Sequence, residues 1–267
     1  MIKLIACDLD GTVFDDNKVI DTELKDVTDK LKSKGIAFTV VSGRNIELMR
    51  NVIEHFDLEL PFVCNNGANV YKHNELIHAD CVDGEYADKA ARLLYENDIC
   101  FRVYAMEDVF CNRISDFFLA RMKGFKRSFR DYDPDMDISK YNTLKITCDF
   151  FDHLDKVEQI QNIINAYPNT CLVKAEDNVY CVNNISANKG DALKWVCDSL
   201  NIDISEEVMA FGDNENDLSA LNKVKVSVAM DNADDFVKSQ CDYVCKDNNH
   251  NGVSSFLKEY FKDILDV

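Results

Sequence analysis

Asp8 and Asp10 stand at the end of an apolar run, Ile2 to Leu9, within the segment Cys7-Asp8-Leu9-Asp10-Gly11-Thr12. Residues two apart on a strand share a face, so both carboxylates project to the same side. Two carboxylates left together raise one of their pKa values sharply, and a divalent cation removes that conflict. The spacing therefore points to an ion, or to chemistry on a charged ligand. Three other strand ends carry comparable residues. Ser42-Gly43-Arg44 offers a hydroxyl and a backbone able to approach a phosphate closely. Lys189, followed by Gly190, opens a helix, where its charge and the helix N-terminus favour the same anion. Asp213 follows a strand and Gly212, and Asn216 and Asp217 come one helical turn later. Carboxylate oxygens beside a phosphate suit Mg2+. Each segment alone has an ordinary reading: a turn, a helix entry, a solvated lysine, a capped loop. All four in this order outweigh those readings.

The elements that must position them alternate in type. Ile2–Leu9 is a continuous apolar run suited to a strand buried on both faces. Leu24, Val27 and Leu31 recur at helical spacing, with Asp21 as a candidate N-cap and Gly35 as the stop. Residues 36–43 read as a second strand, Ile46, Met49, Ile53 and Phe56 as one face of a second helix, and residues 61–67 as a third strand. From about Asp80 the pattern changes. A helix over 85–98 precedes strands at 99–106 and 107–113, a short helix, and a strand at 142–150. A helix over 154–168 follows, then a hairpin of 170–175 with 178–184. These suggest an α+β layer of consecutive antiparallel strands. After Ile185 the strand–helix alternation resumes. The expected fold is α/β: a doubly wound parallel-sheet (Rossmann-like) core made of residues 1–80 and 186–267, with an inserted α+β cap domain at 81–185. The Asn-rich stretch at 246–251 reads as a surface turn.

A formal net charge of −18 over 267 residues disfavours nucleic acid and anionic lipid as partners. No apolar stretch approaches the ~20 residues of a membrane span, and the N-terminus lacks a signal-peptide pattern. The 11 cysteines include no CxxC. Cys7, Cys64, Cys148, Cys171 and Cys181 sit in apolar runs and read as buried free thiols, which fits a reducing, cytoplasmic setting.

The four segments together resemble the motifs of the haloacid dehalogenase superfamily, and the large insert between the second and third resembles its Cof-type phosphatases. Asn65-Asn66-Gly67-Ala68 and the 228–233 segment resemble that subfamily too, except that Asp231 stands where Gly is usual. The resemblance implies a phosphatase acting on a small phosphorylated metabolite, such as a sugar phosphate. It implies Asp8 as nucleophile, Asp10 as acid and base, and Lys189 as a third catalytic group, one that offsets charge in the transition state. Leu9, Thr12, Ser42, Gly43, Arg44 and Asn216 would line the substrate site, Thr12 binding back to the nucleophile loop. Mg2+ would be held by Asp8, the Asp10 carbonyl and Asp213, with Asp217 steadying the loop. A phosphomutase and a non-catalytic phosphate sensor are the competing readings; an intact nucleophile argues against the sensor, and nothing in the sequence shows re-phosphorylation of a product. Arg102, Arg113, Arg121 and Lys145 are candidates for a second anionic group of the substrate, against the ordinary reading of solvated charge. Oligomeric state is left open.

Overall fold

The computed structural model describes residues 1–106, 108–115, 129–176 and 178–265. They divide into two compact units, Met1–His78 with Asn188–Val267, and Ala79–Ala187.

The first unit is built on five parallel strands: β1 (Leu4–Cys7), β2 (Ala37–Val40), β12 (Val208–Gly212), β13 (Val226–Ala229) and β14 (Tyr243–Val244). Their order is β14-β13-β12-β1-β2. Strand β3 (Phe62–Cys64) joins beyond β2 through the parallel bridge Val41–Val63. Alternation along β1 explains the layering. Ile5 and Cys7 enter one apolar cluster with Leu24, Val27 and Leu31 of the helix Leu24–Ser33 and with Val253 and Leu257 of the helix Gly252–Tyr260. Leu4 and Ala6 enter another with Ala192, Leu193 and Val196 of the helix Lys189–Ser199. Both faces are thus covered, as a parallel sheet requires.

Register sets the site. Cys7 pairs with Phe211 on one side and Val40 on the other. The residues just beyond these, Asp8, Gly212 and Val41, therefore leave the sheet at one level. The chain order reverses at β1, so this edge is the topological switch point, where open α/β sheets bind ligands.

Asp21 does not cap the first helix from the N-cap position. That place is Glu23, and Asp21 accepts from the Glu23 N–H at 3.0 Å and from Ser254 Oγ at 3.0 Å, which joins the two ends of the chain. A hairpin absent from the expected elements follows β3: β4 (Asn69–Lys72) and β5 (Glu75–Ala79), turned by His73 and Asn74, both left-handed. Asp231 is exposed and pairs with Lys238 at 3.2 Å.

The second unit carries a sheet of six strands, β6 (Cys100–Ala105), β7 (Val109–Cys111), β8 (Phe129–Asp131), β9 (Thr143–Asp149), β10 (Thr170–Glu176) and β11 (Val179–Asn184), in the order β10-β11-β9-β6-β7-β8. The β10–β11 pairing is antiparallel, as expected, but β7 and β8 run parallel, and consecutive strands are not neighbours throughout. One face packs Phe101, Val103, Ile146 and Val182 under the helices Gly84–Glu96 and Val157–Asn165. On the other strand face Arg102 forks Asp149, at 2.6 and 3.2 Å, and Ser115 adds a bond to the same carboxylate at 2.6 Å. Arg102 is therefore a buried, neutralised residue, neither a solvated charge nor a free anion receptor. Arg113 bonds Asp98 at 2.6 Å, Lys145 lies 5.6 Å from the Tyr104 ring centre, and Arg121 falls outside the described residues. Cys7, Cys64, Cys148 and Cys181 are buried, whereas Cys171 is half-buried. Among the described residues no helix is long and apolar enough to cross a membrane.

Candidate active site

Three groups of residues meet beyond β1, β2 and β12. The first centres on Lys189, at the first position of its helix. Its Nζ lies 2.6 Å from Asp8 Oδ1 and 2.6 Å from Asp217 Oδ1, and all three side chains are buried. Asp217 is further engaged, since its Oδ2 accepts from the Asp213 and Asn214 N–H groups at 3.0 Å each. Asp8, Asp213 and Asp217 each bring a carboxylate oxygen within 4.8 Å of the others. Three carboxylates thus face one ammonium.

The electrostatics follow from that imbalance. Burial pushes Asp8 up to about 7 against the pull of Lys189, and the charges of Asp217 and Asp213 add to the rise. Burial and Asp217 push Asp213 up to about 6. Burial alone would lower the Lys189 pKa, but Asp217 and Asp8 outweigh it and raise it. Fully ionised, the group carries two uncompensated negative charges, and its donors are all oxygen. A hard divalent cation fits both properties.

The second group surrounds Asp10. Arg44 clasps it through Nε to Oδ2 at 2.7 Å and through a terminal nitrogen to Oδ1 at 2.6 Å, and Lys18 adds a contact at 2.8 Å. Burial would raise this carboxyl, but the Arg44 and Lys18 bonds prevail and hold it at about 2. The Arg44 guanidinium rests over the Phe14 ring, 4.3 Å from its centre.

The third group is built on two consecutive left-handed residues, Asn65 and Asn66. Asn66 donates its N–H to the Ser42 carbonyl at 3.0 Å and accepts from Asn216 Nδ2 at 3.1 Å. A Cβ at position 43 would stand 2.8 Å from Asn66 Oδ1, which explains Gly43. Ser42 is buried, and its Oγ accepts from the Arg44 N–H at 3.2 Å.

Every residue expected from the four motifs lies in or beside these groups, with some differences in detail; of the four basic candidates of the insert, Arg102, Arg113 and Lys145 have the partners described above and Arg121 lies outside the described residues. Thr12 binds back to its own loop through its N–H, which reaches the Leu9 carbonyl at 3.3 Å, while its Oγ1 donates to Asp213 Oδ1 at 3.2 Å, across to the loop after β12. Leu9 turns its side chain into the core, so any contact with a ligand is through its backbone. Gly11 combines φ +83° with an approach to the Asp213 carboxylate that any Cβ would block. The sequence does not point to Lys18 or to the carboxamide of Asn66: Lys18 carries no local signal, and Asn66 belongs to a segment whose only signal is its family resemblance. The stretch at 246–251 is not a plain surface turn, because Asn248 is buried.

The haloacid dehalogenase-like hydrolase family model matches residues 5–257. The 5-amino-6-(5-phospho-D-ribitylamino)uracil phosphatase YwtE of Bacillus subtilis is 25% identical, over 97% of this chain and 98% of its own. The phosphoglycolate phosphatase of Methanobrevibacter smithii is also 25% identical, with the same coverage, 97% and 98%. An X-ray structure of a Thermotoga maritima protein superposes with a TM-score of 0.82 at 25% identity, covering 97% of each chain. The chain belongs to the haloacid dehalogenase-like hydrolases. It is an enzyme of the phosphatase class.

Proposed function

We propose that this enzyme is a Mg2+-dependent phosphomonoesterase that hydrolyses small phosphorylated metabolites, sugar phosphates among them, through an aspartyl-phosphate on Asp8. The observation that carries the reading is the buried Asp8 carboxylate, held 2.6 Å from Lys189 beside Asp213 and Asp217. A carboxylate fixed this way has one oxygen tied to Lys189, which leaves the other to attack a phosphorus. Its attack forms the Asp8–phosphorus bond while the ester bond breaks toward the leaving oxygen. Asp10 hands that oxygen a proton, then takes one from the water that cleaves the acyl-phosphate. In the free enzyme the Arg44 and Lys18 bonds hold it ionised, able to accept a proton but only weakly basic; a bound phosphate that draws off Arg44 or Lys18 raises its pKa toward the value both roles need.

Lys189 neutralises charge on the phosphoryl oxygens in the transition state. Ser42 and Asn216 orient those oxygens. Asp8, the Asp10 carbonyl and Asp213 would hold Mg2+, with Asp217 fixing the Asp213 loop through its two backbone bonds. The ion supplies charge stabilisation for the phosphoryl group. A cytoplasmic setting, with abundant Mg2+ and phosphorylated metabolites, accords with the reading.

The test is phosphate release across a panel of sugar phosphates, nucleotides and cofactor phosphates, joined to mass spectrometry of acid-quenched enzyme. We expect turnover of several esters and a phosphate adduct on the peptide bearing Asp8. An adduct on another residue, or none under turnover, would overturn the covalent route. A requirement for a bisphosphate would point to a mutase.

A further inference from the structure

Asp10 opens a loop, Gly11–Ile20, whose own bonds make it stiff. Asp15 N–H reaches the Val19 carbonyl at 2.9 Å, Asp15 Oδ1 accepts from the Asn17 and Val19 N–H groups, and Lys18 turns the tip at φ +63°. The tip presents Lys18 Nζ to Asp10. What anchors this loop is a set of asparagines from the far end of the chain. Asn248 donates its Nδ2 to the Phe14 carbonyl at 3.0 Å and to Asp16 Oδ1 at 3.1 Å. Asn249 donates to the other Asp16 oxygen at 3.1 Å and accepts from the Asp16 N–H at 3.2 Å. Asn232 donates to the Gly11 carbonyl at 2.9 Å and accepts from the Asn248 N–H at 3.1 Å.

We propose that Asn248, aided by Asn232 and Asn249, is a positioning residue for Asp10. The inference rests on the reading of Asp10 as the group that protonates the leaving oxygen. Two routes carry the effect. Asn248 holds Phe14, whose ring is the platform under Arg44, and it holds Asp16, two residues before Lys18. Both cations meet the Asp10 carboxylate, so loosening the loop displaces its charge environment and its reach together. An Asn is suited to this task because one carboxamide supplies two N–H donors, here to a carbonyl and a carboxylate at once.

The test uses leaving-group dependence, which a purely structural role does not alter. Protonation matters for an alkyl phosphate and little for p-nitrophenyl phosphate, whose leaving group departs as the anion. We compare kcat/KM along a series of aryl and alkyl phosphates for the intact enzyme, Asn248→Ala, Asn232→Ala and Asp10→Asn. Misplacing the acid in Asn248→Ala should lower the alkyl value ~10-fold and the p-nitrophenyl value less than ~3-fold. Asn232→Ala should move the same way by a smaller factor; its side chain is exposed, so it carries the test if Asn248→Ala does not fold. Asp10→Asn should show the steepest dependence, with alkyl loss of ~10²-fold or more. A flat Asp10→Asn profile would overturn the acid assignment itself. A steep Asp10→Asn profile beside flat profiles for the folded asparagine variants would overturn the positioning role alone.

Discussion

Each unit buries a cation against carboxylates, and the two arrangements differ in their balance. In the insert, Arg102 meets one carboxylate, Asp149, through a two-bond fork, and Ser115 completes the set. Charge is matched one to one, and the two-bond fork offsets part of the desolvation that burial imposes. In the core, Lys189 meets Asp8 and Asp217 while Asp213 stands beside them. Charge there is unmatched, and Asp8 and Asp213 are pushed far above the usual carboxylate range. A balanced buried pair serves the fold. An unbalanced one is completed by what binds, and it is the unbalanced one that lies at the switch point of the sheet.

The largest break in this comparison comes from Asp8→Asn. The amide keeps the size and loses the nucleophile, so turnover should fall at least ~10³-fold with the fold intact. Phosphate release near the parent rate would refute the assignment. Removal of divalent ions with EDTA should abolish activity, and Mg2+ should restore it. Excess Ca2+ should inhibit, because calcium prefers more ligands and looser geometry than this carboxylate set offers. Full turnover in EDTA would remove the metal from the account.

If the balanced pair serves only its own unit, the insert can be taken out. We propose that it acts as a cap setting selectivity. Replacing residues 79–187 with a short linker should leave a folded, metal-binding core that cleaves p-nitrophenyl phosphate slowly and ranks natural esters differently. An unchanged ranking in a folded core would place selectivity elsewhere. Within the insert, Asp149→Asn leaves Arg102 buried without its counter-charge and should cost ~3 kcal/mol in urea unfolding. An unchanged midpoint would show that the pair adds nothing.

The smallest effect is on pH dependence. A carboxyl whose pKa rises on folding stabilises the native state at low pH and loses that contribution as pH climbs through the folded value. Asp8 at about 7 and Asp213 at about 6 place the loss, for metal-free enzyme, across the range above the unfolded value near ~4. Asp10, held at about 2, has the opposite sign, and its window lies below that range. Urea midpoints in EDTA should fall from mildly acid to neutral pH, and Mg2+ should remove the decline. A rise over that interval in EDTA would reverse the reading of the site.

The sequence made the core and its four motifs legible for a physical reason. Parallel strands buried on both faces are unbroken apolar runs, so the polar residues just beyond Leu9, Val41 and Phe211 stand out. What stayed hidden depends on partners far along the chain. Arg102 looks like any basic residue until Asp149 is placed opposite it, 47 positions on. Asn248 sits in a polar stretch typical of exposed turns, yet it bonds Phe14 across 234 positions. The β4–β5 hairpin turns on His73 and Asn74 without a glycine to announce it, and nothing local specifies that β8 joins β7 in parallel.

Strand β1 lies between β2 and β12, and β12 begins at Val208, beyond the entire insert. A ribosome therefore delivers the insert, one contiguous stretch, before the core has its second central strand. Long-range strand pairing of this kind is slow to nucleate and leaves apolar edges open meanwhile. Nascent chains halted once β11 has cleared the exit tunnel, with β12 still inside it, should carry a protease-resistant insert between an unfinished N-terminal third and the peptidyl-tRNA. The enzyme would then be born from its middle outward, with its reactive centre the last part to close.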